Sequence, residues 1–277
     1  MTAPRRALGR WPNAPLALVL AQVRFDQSPE TEPQPLSERI QKLTGSIYPH
    51  TSPLQQITMI LGRTTSSTTS QPPVPVGLDL RNSENNEAVR LQPGSVTFTT
   101  SSYQDRNHFS RQWRVLMDAL CEKRGLKVNR LGLRYVDFII PSAGHVPEDY
   151  FRDGLGRSPA ALGNQSPVAF NLYDFARENG GQLRVQYSRG FGPPALPPDL
   201  QDMVLPPEAL TTKTNSGMSA VLDMDRWRPA NESMSAETIA RELETLRADI
   251  ASSFLSIITD LADKEWKTEK TGDIQRA

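Results

Sequence analysis

The sequence predicts an α+β protein of two pseudo-repeated halves, each a mainly antiparallel sheet with a short helix and one long helix packed on it. Three observations carry this. Short apolar runs rich in Val, Leu and Ile recur between turn-forming residues, as strands do. Two long segments, 104–124 and 235–261, return apolar residues every three or four positions. The order of elements then repeats: strand, short helix, antiparallel strands, long helix. The expected divisions are an irregular lead-in at 1–14, a first half at 15–126, a second half at 127–265 and a flexible tail at 266–277.

Residues 16–25 combine dense Val and Leu with partial alternation and read as a strand buried on much of both faces. The stretch is broken by Gln22 and Arg24, is too short to span a membrane and lacks a small-residue cleavage site, so Arg5, Arg6 and Arg10 do not read as a secretion leader. Pro35, Leu36 and Ser37 open a short helix with Ile40, Leu43 and Ile47 at helical spacing. A strand follows at 54–61. The Thr/Ser/Pro run at 64–75 buries too little to order strongly and is expected as a mobile hairpin tip. Strands at 76–80, 88–91 and 95–100, separated by Asn85, Asn86, Pro93 and Gly94, form an antiparallel meander.

The helix at 104–124 carries an apolar stripe of Phe109, Trp113, Leu116, Met117 and Leu120, with Gly125 as its left-handed cap. The second half repeats the plan: a strand at 131–140, a short helix that Pro147 starts, and a hairpin of 168–175 with 183–187 across Asn179, Gly180 and Gly181. A proline-studded excursion at 193–207 crosses the surface. A strand at 219–225 leads into the last helix, which Ser235 caps and whose stripe runs Ile239, Leu243, Leu246, Ile250, Phe254, Ile257 and Leu261. Two echoes support a duplication: Val23-Arg24-Phe25 with Leu133-Arg134-Tyr135, and Ser95 to Tyr103 aligned without a gap to Ser219 to Trp227.

Three stretches resemble a family of sporadically distributed, uncharacterised bacterial proteins of roughly this length. They are residues 15–25 (PLALVLAQVRF), 131–137 (LGLRYVD) and 221–225 (VLDMD). The resemblance spans most of the chain and implies fold boundaries and a bacterial source, but no catalytic residues.

At 277 residues the chain can bury a core without a disulfide or metal staple, and its one cysteine, Cys121, cannot close a bridge within it. A reducing, cytoplasmic setting is expected. Lys plus Arg equal Asp plus Glu at 31 each, which removes any global field for nucleic acid. The run Lys123, Arg124, Lys127 and Arg130 is a local exception, although such residues near a helix end commonly serve its dipole.

Four residues stand out as ligand-binding candidates. Arg24 and Arg134 hold matching places in apolar strands, as forks for an anion or as structural ion pairs with Asp137, Asp223 or Asp225. Asp223 and Asp225 share one strand face about 7 Å apart, a reach that suits paired carboxylates or a plain polar face. Phe191 and Arg189, in a Gly-rich turn leading into Pro193 and Pro194, are candidates for partner contact. His50, His108 and His145 lack a helical metal-pair spacing, and the loop run His145, Glu148, Asp149 is only a faint ligand cluster. Cys121, late on its helix, faces a dipole that opposes a thiolate. No catalytic residue, metal or cofactor is assigned.

The expected function is a non-enzymatic protein-binding module of the bacterial cytosol, such as a neutraliser of a toxin or a subunit of a defence or secretion assembly. A homodimer through the heptad-like stripe of the last helix is a further expectation. The alternative is a small-molecule binder or enzyme with a pocket between sheet and long helix, holding an acidic or apolar ligand. No membrane partner is expected, and nucleic acid ranks last.

Overall fold

A computed structural model describes residues 11–56, 59–60, 69–70, 74–122, 125–152, 155–157, 168–204 and 217–267. Strand-forming runs separated by turns pair with their neighbours in sequence. The strands are β1 (Leu16–Phe25), β2 (His50–Gln56), β3 (Met59–Ile60), β4 (Thr69–Ser70), β5 (Val74–Arg81), β6 (Glu87–Gln92), β7 (Ser95–Thr100), β8 (Leu126–Ile139), β9 (Ala169–Ala176), β10 (Gln182–Phe191) and β11 (Met218–Met234). The helices are α1 (Pro33–Thr44), α2 (Arg106–Cys121), α3 (Ala236–Ile257) and α4 (Asp260–Lys267).

Nine strands make one antiparallel sheet in the order β2-β5-β6-β7-β1-β8-β11-β10-β9, and β3 pairs β4 separately. The fold is therefore α+β, as the sequence predicts. Outward from the central β1–β8 pair, each side continues with the last strand of its own meander. The two sequence echoes do not share one register, however. Arg24 pairs with Ser95, whereas Arg134 pairs with Asp225 and not with Ser219. Strand β11 also runs on to Met234, so Trp227 does not stand just before the helix.

Alternation sorts each strand's side chains onto two faces. On β8, Leu131, Leu133 and Ile139 turn to the main core under the helices, and Val136 and Phe138 turn to the opposite, outer face. Phe109, Trp113, Leu116, Met117 and Leu120 of α2 fill that core with Ile239, Leu243, Leu246 and Ile250 of α3. Each such side chain contributes about 1.5–3 kcal/mol by leaving water. Asp105 caps α2 by accepting from the His108 amide at 2.8 Å, and Ser235 caps α3 by accepting from the Thr238 amide at 3.1 Å.

The structure corrects several expectations. In α1 Ile40 is buried as the spacing predicts, together with Leu36, Ser37 and Thr44, but Leu43 is exposed and so is Ile47, which lies beyond the helix end. The left-handed residue ending α2 is Glu122, with φ 41°, not Gly125. The last helix breaks at Ile258, which is fully buried and bridges to Phe151. Trp266, placed in the tail by sequence, sits at 7 % exposure stacked on Tyr150 and Phe254. The apolar stripe expected to dimerise α3 is spent inside the chain from Ile239 to Ile250. Most of the Thr/Ser/Pro run, Lys123, Arg124 and residues 268–277 lie outside the described residues.

Candidate functional site: the outer sheet face and its free edge

Arg24, Arg134, Asp223 and Asp225 all lie on the outer face, because even positions of β1 and β8 and odd positions of β11 point there. Arg134 stands opposite Leu20 on one side and Asp225 on the other. Its Nε and Nη2 donate to both oxygens of Asp223, at 2.8 and 2.7 Å, and its Nη1 donates to Asp199 at 2.5 Å. Burial weakens the Arg134 proton, but the two carboxylates outweigh it and hold the guanidinium firmly charged. Asp223 is 4 % exposed and Asp225 half-buried; burial raises Asp225 above the usual carboxylate range, against the pull of Arg134 and Arg130. Arg134 and Asp223 thus form a structural ion pair, while Arg24 is exposed and, among the described residues, donates to Gln22 Oε1 at 3.0 Å.

Asp199 belongs to a strap, residues 193–204, laid over this face. Leu196, Leu200, Met203 and Val204 pack on Leu18, Ala88, Val136, Phe138 and Val221. A second carboxylate, Asp202, meets Arg90 at 3.1 Å, and its carbonyl accepts from Arg81 at 2.5 Å. Arg90 is also held by both oxygens of Asp79 at 2.8 Å. Residues 196–204 of the proline-studded excursion are therefore held against the outer face by apolar packing and by ion pairs of Asp199 and Asp202.

Beyond the strap the face carries Arg24, Arg130, Trp227 and Arg184. Arg130 lies 4.6 Å above the Trp227 ring. Arg184 is paired with both oxygens of Asp174 at 2.9 and 3.0 Å.

The partner candidate Arg189 is not available for contact. Odd positions of β10 face the helices, so Arg189 is buried and donates to Glu148, which also accepts from Tyr187 at 2.8 Å. Glu148 thereby leaves the faint histidine cluster, while His145 Nδ1 lies 3.5 Å from Asp149 and its ring meets the edge of Tyr150. Among the described residues no group of three or more His, Cys, Asp or Glu could hold a metal. Cys121 is buried, and burial pushes its thiol up to about 11. The space expected to hold a pocket, between sheet and long helices, is filled by the α2 and α3 stripes. An open cleft of about 690 Å³ lies instead at the helix ends, between Arg39, Lys42, Leu43, Glu122 and Ser235.

Phe191, the other partner candidate, is 70 % exposed at the end of β10. It adjoins a larger feature that sequence reasoning passed over. Strand β9 ends the sheet, pairing with β10 alone among the described strands. It exposes Phe170 and Leu172 on the outer face and Tyr173 and Phe175 on the other, with Val168 just before it. Its one charged residue, Asp174, is neutralised by Arg184. The opposite edge, β2, carries Pro53 among His50, Thr51, Ser52 and Gln55.

No family model, curated protein or solved structure matches this chain. Among the described residues no helix is long and apolar enough to cross a membrane.

Proposed function

We propose that this chain is a protein-binding module that takes an extended segment of its partner along β9. The observation behind the reading is the contrast between the two sheet edges. Natural edge strands are blunted by proline, charge or brevity, as β2 is by Pro53. Strand β9 has eight residues, no proline, one neutralised charge and four large apolar side chains spread over both faces. Strand addition would satisfy its open backbone groups while alternate side chains of the partner meet each apolar row.

Magnitudes make the surface adequate but not generous. Four half-exposed side chains offer on the order of 400 Å², or ~10 kcal/mol gross. Association costs about 4–15 kcal/mol, so backbone hydrogen bonds and neighbours such as Phe191 and Val168 have to contribute for micromolar affinity. A toxin neutraliser and a subunit of a defence or secretion assembly both suit such an edge.

Amide hydrogen exchange on the complex isolated from the native host tests the reading. Protection of residues 169–176 on partner binding is the expected result. Protection confined to the helical face would overturn it.

A further inference from the structure

Arg24 and Arg130 stand directly opposite each other across β1 and β8, on the outer face beyond the strap. Like charges in that position repel and destabilise a sheet. Other arginines of the face are matched to carboxylates: Arg81 and Arg90 to Asp79, Arg134 to Asp223 and Asp199, and Arg184 to Asp174. Arg24 makes no ion pair among the described residues. Its Nε is held by Gln22, which is itself fixed by donating to Thr97 Oγ1 at 3.0 Å, so the side chain is oriented while its terminal nitrogens stay free to donate.

Arg130 reaches Asp225 only at 3.9 Å, and its Nε is buried with no hydrogen-bond partner. Trp227 supports the guanidinium from below. Gly132, opposite both Gln22 and Trp227, leaves the floor beside the two arginines without a side chain. Burial and the charges of Arg24 and Arg184 lower the Arg130 pKa, with Asp225 opposing, as expected of a cation short of anions.

The geometry points to a phosphate-binding site formed by Arg24 and Arg130, taking inorganic phosphate or a phosphate monoester. Arginines at directly opposed positions place two planar, permanently charged donors of the kind that phosphate oxygens accept on one patch of the face, and a dianion relieves the repulsion between them. The site is independent of the β9 edge.

The test is calorimetric titration of the full chain with inorganic phosphate and, separately, phenyl phosphate, at ionic strength held constant with sodium chloride. Saturable binding is expected, weakened at least tenfold by Arg24→Gln and by Arg130→Gln and unchanged by Arg114→Gln, which removes an equal charge on α2. Equal affinity for the two probes assigns the site to the phosphate group alone; tighter phenyl phosphate assigns it to an aromatic monoester. In phosphate-free buffer Arg24→Gln should melt no lower than wild type, since relief of the repulsion with Arg130 offsets the loss of one exposed hydrogen bond to Gln22. A non-saturating response that chloride reproduces, or binding that both variants leave within twofold, would overturn the proposal.

Discussion

Replacing Asp137 by Asn should stabilise this protein at alkaline pH and do little in acid. Asp137 lies on β8 at 5 % exposure, has no ion-pair partner among the described residues, and is paired across the sheet with Leu16 and Leu222. Burial, with the charge of Asp223 adding to it, raises its pKa from the ordinary 3.8 to about 7. A carboxyl whose pKa is raised on folding favours the folded state while protonated, and that advantage is lost as pH rises from below 3.8 through about 7. At about 1.36 kcal/mol per pH unit the penalty reaches a ceiling of ~4 kcal/mol. Urea unfolding of wild type and Asp137→Asn across pH 4 to 8 isolates it, because other titrating groups cancel in the difference. The stability difference should grow by roughly 3–4 kcal/mol in favour of Asn over that range. A difference flat to within about 0.5 kcal/mol would refute the assignment of a buried, unpaired carboxyl.

Three further outcomes follow from burial and pairing. Arg226 is fully buried and donates to Asp249 at 2.7 Å, to Asn179 and to the Gln182 and Trp227 carbonyls. Asp249→Ala should therefore cost about 3–5 kcal/mol in urea unfolding, by stranding that charge. The strap should depend on its apolar anchors: Leu200→Ala is expected to cost about 2–5 kcal/mol, against no more than about 1 kcal/mol for Asp202→Asn, whose exposed carboxylate is screened by solvent. The Cys121 thiol, with its pKa at about 11, should react with a disulfide reagent at pH 8 far more slowly than a free thiol and reach full reactivity only in denaturant.

The stripes of α2 and α3 were legible because a 3.6-residue period survives in sequence whatever packs on it. The β9–β10 hairpin was legible from Gly180 and Gly181, both of which adopt positive φ. The ion pair of Arg134 with Asp223 was among the pairings that alternation and charge suggested. Arg24, next to last in β1, looked equivalent but faces Arg130, a relation set by cross-strand register that no local pattern reveals. Arg189 looked like a surface residue because it precedes a Gly-Phe-Gly turn. Its burial depends on Glu148, 41 residues away. The exposed row on β9 was hidden for a related reason: apolar alternation marks a strand without saying whether a neighbour covers it. Strand position at the sheet edge, a topological fact, decided that.

Affinity purification of the tagged protein from its native host, with wild type and a Phe170→Lys, Leu172→Lys variant run in parallel, tests the β9 reading most directly. Both changes lie on exposed positions of β9, so circular dichroism and melting of the variant should match wild type within a few degrees. The account predicts a stoichiometric protein on wild type that is lost from the folded variant. A partner retained equally by both, or no stoichiometric partner on either, would contradict it.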